Sequence, residues 1–560
     1  MSEVGSPQTV KGTGVVPGIA YAPAGWTRAR PALPSESRNV PEADRPAEVE
    51  KFKDATVAVA ERLQARAAAA EGHAAEVLAA TAGLAKDRGW LRAATKRINS
   101  GVPAENATAN ATEEFVTMFE ALGGLMAERA TDLKDVRDRV IAEILGLPEP
   151  GVPKPSSPII LCADDLAPAD TAGLDPALIL GLVTRLGGPT SHTAIIARQL
   201  GIPCIVAAAG LEFIAEKTPL LINGTKGTIE TGADPEQAQA LVDADNERRE
   251  AIKNWRGPAQ TKDGHHCELL ANVQDGAGAR KAAKSQAEGV GLYRTELSFL
   301  SAKNEPSVIE QAKIYGEVLE AFKDHKVVIR TLDAGSDKPI AYANMEEEEN
   351  PALGVRGIRI TPKGNDAMLL RQLDGVKLAA SQVGGAKAPW VMAPMIATLP
   401  EAIHFAEACR YRGIKPGVMV EVPATSLLAD KFLEHVEFMS IGTNDLTQYT
   451  MAADRLSPHL ATLTNPWQPG VLTLIGMTAA AGKRAGKPVG VCGEAAADPL
   501  LACILIGMGI TSLSMASAAV PAVGVQLAKV TLEQCQKAAE AVLNAADADE
   551  AKAIAVDMLG

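Results

Sequence analysis

The chain has 560 residues, too many for one ordinary core, so about two to four domains are expected. With 47% hydrophobic and 22% charged residues it reads as globular rather than disordered, and a net charge of −13 argues against nucleic acid as a partner. The start lacks a charged-then-apolar leader pattern, no run of about 18 apolar residues occurs, and the seven cysteines are scattered without C-x-x-C pairing, so a cytoplasmic protein with reduced thiols and no membrane insertion is expected.

Residues 1–25 are rich in Gly and Pro with short apolar pieces, as in Gly14-Val15-Val16-Pro17-Gly18, and read as edge strands and turns. From Arg45 to Gly146 the texture changes to Ala, Glu, Lys and Arg. Val49, Phe52, Thr56, Val59 and Leu63 step by three and four, which is one face of a helix. Ala107, Ala111, Phe115, Met118, Leu122 and Met126 repeat the pattern, as do Leu133, Val136, Val140 and Ile144 before the stop signals Gly146 and Pro148. An all-helical segment of about 100 residues is expected there.

At Pro158-Ile159-Ile160-Leu161 the pattern switches to short apolar runs. Ala177–Val183, Cys204–Ala208 and Leu220-Leu221-Ile222 are further strand candidates with helical patterns between them, which makes an α/β unit. The N-terminal strands are expected to join it, leaving the helical segment as an insertion. Within this unit, Gly187-Gly188-Pro189-Thr190-Ser191-His192-Thr193 lies between a strand and a helix that stops at Gly201. Thr190 or Ser191 can cap that helix and put His192 in its first turn, where free N–H groups and the positive helix end favour an anion and a neutral, nucleophilic imidazole. A histidine that merely helps to cap a helix fits the same segment. Asp234-Pro235 then opens a polar helix running to about Trp255, suited to a connector.

From about Gly257 onward come eight strand candidates separated by helical stretches: Cys267–Asn272, Gly289–Tyr293, Val327–Thr331, Trp390–Met395, Val418–Val422, Phe438–Gly442, Pro488–Cys492 and Ser512–Met515. That count and length match a closed (β/α)8 barrel. A doubly wound open sheet competes with it, and the polar residues at nearly every strand's C-terminal end favour the barrel.

Those ends carry the chemistry. Arg294 and Arg330 end strands, Arg356 follows in a Gly/Pro turn, and Arg455 lies in a short helical stretch after Asn444-Asp445. Taken singly each is an ordinary salt-bridge residue; several at one barrel mouth suit a multiply charged anion. Glu421 and Asp445 end adjacent strands and can hold a hard divalent ion, or act as helix caps or partners of the arginines. Cys492 ends the seventh strand, either as an inert core thiol or as a proton donor.

Set together, Gly187-Gly188-Pro189-Thr190-Ser191-His192-Thr193, Gly291-Leu292-Tyr293-Arg294-Thr295-Glu296, Gly442-Thr443-Asn444-Asp445-Leu446-Thr447-Gln448-Tyr449 and Val491-Cys492-Gly493-Glu494 resemble the Enzyme I family of the bacterial sugar phosphotransferase system, over essentially the whole chain. The resemblance implies an α/β multidomain protein: a swivelling phosphohistidine domain (1–25 and 147–233) with an inserted all-helical domain (26–146) that binds the carrier protein HPr, a linker helix (234–256), and a C-terminal (β/α)8 barrel (257–560) that dimerises. It implies that the barrel binds phosphoenolpyruvate through Arg294, Arg330, Asn444, Asp445 and Arg455, with Mg2+ on Glu421 and Asp445. It further implies that His192 takes the phosphoryl group, that Cys492 protonates the pyruvate enolate, and that HPr then receives the phosphoryl group as the first step of sugar uptake by a cytoplasmic homodimer. The related pyruvate, phosphate dikinase and phosphoenolpyruvate synthase need a nucleotide-binding domain, and the region before residue 150 has no phosphate-cradling glycine loop. Two positions depart from the family: Pro189 stands where an arginine is common, and Ala167 where a threonine often hydrogen-bonds the active histidine.

Overall fold

The computed structural model describes residues 8–28, 30–34, 38–69, 72–122, 124–152, 155–166, 174–189, 191–300, 302–335, 340, 348–384 and 388–560. The chain divides into two compact units, residues 1–249 and 250–560.

In the first unit, β1 (Gln8–Lys11), β2 (Thr13–Val16), β3 (Ile19–Trp26), β4 (Ile159–Ala163), β5 (Ile179–Thr184), β6 (Cys204–Val206), β7 (Pro219–Asn223) and β8 (Thr228–Thr231) form one sheet in the order β1-β8-β7-β3-β4-β5-β6-β2. β1 and β2 are its edges, as the N-terminal pattern predicts. β3 is not an edge: it lies in mid-sheet, antiparallel to β7 and parallel to β4. Its alternation of Ala20, Ala22 and Ala24 inward is too weakly apolar to announce an interior strand, and small side chains suffice because Ile160, Leu220 and Ile222 fill the layer beside them.

Five helices, α1 (Arg45–Ala69), α2 (Gly72–Leu84), α3 (Arg88–Asn99), α4 (Ala104–Leu122) and α5 (Gly124–Leu145), are inserted between β3 and β4. Because those two strands are sheet neighbours, the insertion leaves and returns at adjacent points. Its core collects the predicted stripe of Val49, Phe52, Val59 and Leu63 with Leu133, Val136, Val140 and Ile144. Trp90 is fully buried, and its indole N–H is satisfied by Thr112 Oγ1 at 3.0 Å. The expected stripe from Ala107 to Met126 is broken twice: Met118 is exposed, and α4 ends at Leu122 before α5 begins, so the spacing runs across a helix boundary.

After the helix Pro235–Asn254, the second unit closes a barrel of eight parallel strands: β9 (Glu268–Val273), β10 (Gly289–Arg294), β11 (Lys326–Arg330), β12 (Trp390–Ala393), β13 (Lys415–Val420), β14 (Phe438–Ile441), β15 (Val489–Val491) and β16 (Ser512–Met515). Closure comes from β16 against β9, with Ser512 opposite Glu268 and Met515 opposite Ala271, and this excludes the open sheet. Side chains alternate along each strand, which separates two cores. Ile329, Val391, Val418, Ile441 and Leu513 pack outward against the helices. Leu292, Val328, Met392, Met419, Phe438 and Cys492 form a separate interior cluster. Gly417 makes room for it, since a Cβ there would lie 2.3 Å from the Phe438 ring. Among the described residues no helix is long and apolar enough to cross a membrane.

Candidate active site

The same alternation aims the strand-end residues at the barrel mouth. Arg294 is two residues beyond Leu292, Arg330 two beyond Val328, and Glu421 two beyond Met419, so each inherits the inward face. Arg294 and Arg330 converge on a cavity of about 160 Å³ that is also lined by Asp333, Arg356, Asn444, Asp445, Arg455, Cys492 and Glu494. Two local placements differ from the expected ones. Asn444 and Asp445 are not strand ends but the first turn of the helix Thr443–Met451, and Arg455 stands in the turn beyond that helix. The chain packs tightly at this point: a Cβ on Gly493 would lie 2.0 Å from Thr443 Oγ1.

The arginines fall into two kinds. Arg330 is buried and pairs with Glu296 and, at 2.9 Å, with Asp333. Burial opposes its charge, but Asp333, Glu296 and Glu421 outweigh that and hold it more firmly protonated than an ordinary arginine. Arg356 grips Asp333 at 3.1 Å and Asp445 at 2.8 Å, and its charge is likewise reinforced against burial by those two acids. By contrast, no carboxylate among the described residues pairs with Arg294, and Arg455 has only a 3.6 Å contact with Asp445. Arg294 and Arg455 are therefore the least committed cations of the cavity. Asn444 Oδ1 accepts the Glu494 N–H at 3.2 Å, which leaves the Asn444 amide nitrogen as a donor. Sequence reasoning missed Asp333 and Glu296. The available signal was an acid three residues after Arg330 and one two residues after Arg294.

Glu421 lies beneath this surface, fully buried. Its Oε2 accepts the Met395 N–H at 2.9 Å, while Oε1 has no hydrogen-bond partner among the described residues and lies 3.8 Å from Arg330 Nη1. Burial together with repulsion from Asp445 and Asp333 pushes Glu421 up to about 8. A buried carboxylate with an uncommitted oxygen beside two further acids fits an added hard cation. Among the described residues no three His, Cys, Asp or Glu side chains form a metal cluster by themselves, so ligand oxygens and water would complete such a site.

Cys492 is buried, and its thiol donates to the Ile441 carbonyl at 3.5 Å. Burial pushes it up to about 11, against opposing contributions from Ser440 and Arg330, so it holds its proton at neutral pH. Because the thiolate is the alkylated form, modification of Cys492 by iodoacetamide, followed by peptide mass spectrometry, is expected to accelerate about tenfold per pH unit up to about 11. A plateau near the ordinary cysteine value of 9.0 would contradict that environment.

His192 belongs to the other unit and is the first residue of the helix His192–Leu200. Ser191 caps this helix, its Oγ accepting the Ala194 N–H at 3.3 Å. Gly187 takes a φ of +91°, and Arg198 Nη2 donates to the Pro189 carbonyl at 2.7 Å, tying the loop to the helix it precedes. Thr193 is buried, with its hydroxyl 3.5 Å from Asp165 Oδ1. Thr190, Ala167 and the His192 side chain lie outside the described residues.

Comparison with known proteins covers the same regions. Residues 248–532 match the family described as the PEP-binding domain of PEP-utilising enzymes, residues 155–227 the mobile domain, and residues 11–129 the N-terminal region. The chain is 45% identical to a phosphoenolpyruvate-protein phosphotransferase of Streptomyces coelicolor, over 98% of this chain and 99% of that one. It is 35% identical to the protein of the same description in Bacillus subtilis, over 97% and 98%. A Haloferax volcanii protein so described is 40% identical over 80% of each chain.

Proposed function

The chain belongs to the PEP-utilising enzymes, in the family of phosphoenolpyruvate-protein phosphotransferases, and from that premise we propose that it phosphorylates its own His192 and passes the phosphoryl group to HPr as the first step of sugar uptake. It is a transferase acting on phosphoenolpyruvate. One observation carries the residue assignments: a single cavity sets Arg294 and the weakly paired Arg455 beside a thiol that keeps its proton.

In this reading the phosphate and carboxylate of phosphoenolpyruvate lie on Arg294, Arg330, Asn444 and Arg455, and Arg356 holds Asp445 in place. Glu421 and Asp445 would hold magnesium, and Asp445 would then share its oxygens between the metal and Arg356. When bound, magnesium supplies charge neutralisation at the phosphate. The Nε2 atom of His192 forms a bond to phosphorus as the bridging P–O bond breaks, and the pyruvate enolate leaves. Cys492 gives its proton to the enolate methylene carbon. The domain layout follows: residues 1–25 and 147–233 carry the phosphohistidine, 26–146 dock HPr, 234–256 link, and 257–560 bind phosphoenolpyruvate and form a cytoplasmic homodimer.

Incubation with labelled phosphoenolpyruvate and magnesium is expected to put acid-labile, base-stable label on the chain, and added HPr to remove it. A protein lacking residues 26–146 is expected to take up label but not to pass it on. Normal transfer to HPr by that truncated protein would show the insertion to be dispensable, and label that HPr cannot discharge from the full chain would rule out HPr as the acceptor.

A further inference from the structure

Arg330 and Arg356 are held in the cavity by carboxylates, whereas Arg294 has none among the described residues, so the place of its guanidinium depends on the backbone that carries it. That backbone ends the ladder between β10 and β11, where Arg294 lies opposite Arg330. The next residue, Thr295, is fully buried, and its Oγ1 donates to the Arg330 carbonyl at 2.9 Å. A side chain thus carries the pairing of the two strands one step beyond the ladder.

Gln372 fixes this step from behind. It sits on the buried face of the helix Ala367–Gln382 that also carries Leu369, Leu373 and Val376. Its Nε2 donates to Thr295 Oγ1 at 3.1 Å and to the Tyr315 hydroxyl at 3.2 Å, and its Oε1 accepts the Leu332 N–H at 3.0 Å. Tyr315 in turn donates to Gln311 Oε1 at 2.9 Å, and Gln311 Nε2 to the Pro306 carbonyl at 2.8 Å. Gly375 lets the helix Val308–Ala321 come this close, since a Cβ there would already lie 3.0 Å from Gln311 Cβ. Both N–H bonds and the carbonyl of Gln372 are used, which holds its amide in one orientation. Buried bonds of this kind add little net stability, and an apolar side chain of the same shape would bury more apolar surface. Packing therefore does not account for a glutamine at this place, whereas joining the ends of β10 and β11 does.

We propose that Gln372 is a positioning residue for phosphoenolpyruvate: by clamping Thr295 to the end of β11, it holds Arg294 where an anionic oxygen of the substrate meets it. The proposal rests on the reading of Arg294 as a ligand residue. Gln372 does for Arg294 what Glu296 and Asp333 do for Arg330, but without a carboxylate that would compete with the substrate for the guanidinium. Without the Gln372 amide, the Thr295 hydroxyl loses the donor that orients it and the Leu332 N–H loses its acceptor, so the backbone beneath Arg294 is free to shift.

A double-mutant cycle on the full chain tests this, with magnesium and labelled phosphoenolpyruvate at low concentration. The initial rate of labelling, normalised to the label taken up at completion, reads the rate constant of the folded protein alone. Gln372→Leu and Thr295→Val are each expected to lower it about tenfold, and Thr295→Ser, which keeps the hydroxyl, to stay within about twofold of wild type. In an Arg294→Met background, neither Gln372→Leu nor Thr295→Val is expected to cost more than about twofold further, because the side chain they position is gone. A role in folding alone would lower the label at completion and leave the normalised rate unchanged, and that result overturns the proposal. So does a tenfold loss that persists in the Arg294→Met background. Labelling of Arg294→Met at the wild-type rate overturns the reading of Arg294 as a ligand residue, and the proposal with it. A slow Arg294→Met protein beside a Gln372→Leu protein of wild-type rate overturns the positioning alone, and Thr295→Val decides the same point where Gln372→Leu yields no folded protein.

Discussion

His192→Ala is expected to take up no acid-labile label from phosphoenolpyruvate, a loss on the order of 10⁴-fold or more, as when a covalent nucleophile is deleted elsewhere. The loss should be chemical and not structural. The helix that begins at His192 keeps its Ser191 cap, its Gly201 stop and the Arg198 tie to the Pro189 carbonyl, none of which uses the imidazole. Alanine is the best helix former, so the first turn loses nothing in propensity. The residues proposed to bind phosphoenolpyruvate all lie in residues 250–560. Calorimetry is therefore expected to find wild-type affinity for phosphoenolpyruvate in the variant. Undiminished label on His192→Ala would move the acceptor to another residue, and lost affinity would mean that the imidazole belongs to the binding site.

The second large effect separates two arginines that look alike in sequence. Arg330→Met removes the charge that compensates Glu296, Asp333 and Glu421 in a buried site, so the barrel is expected to lose about 3–5 kcal/mol along with its activity. Arg294→Met deletes a cation with no carboxylate partner among the described residues. Its stability should stay within about 0.5 kcal/mol, while kcat/KM falls roughly 10²-fold or more because a ligand oxyanion loses its donor. Urea unfolding of the barrel transition and phosphoenolpyruvate titration check both. Equal destabilisation by the two substitutions would refute the distinction between Arg330, which also compensates buried acids, and Arg294, which serves the ligand alone.

How much of this was legible beforehand follows from the range of each signal. The strand candidates from Cys267 to Met515 and the helical stripe from Val49 to Leu63 were readable because alternation and three-to-four spacing are properties of adjacent residues. Alternation also put Arg294, Arg330 and Glu421 on inward faces, since each lies two residues beyond an apolar interior position. The interior position of β3 was not readable: its inward alanines resemble those of a turn-rich edge, and only pairing with β4 and β7, 130 residues and more away, places it in mid-sheet.

Local pattern is enough to give the kind of barrel strands, the helix-opening position of His192 and the inward placement of Arg294, Arg330 and Glu421. Tertiary structure alone decided closure, because β16 meets β9 across about 240 residues and no local pattern encodes that register. It also decided which charges are committed. Arg356 reaches Asp445 across 89 residues and Arg330 reaches Glu296 across 34, so part of the charge of each is compensated inside the protein. Arg294 meets no such acid. An arginine's residue type is a local fact, but its freedom to bind an anion depends on which carboxylates the fold brings beside it, and that is set by strand order and closure.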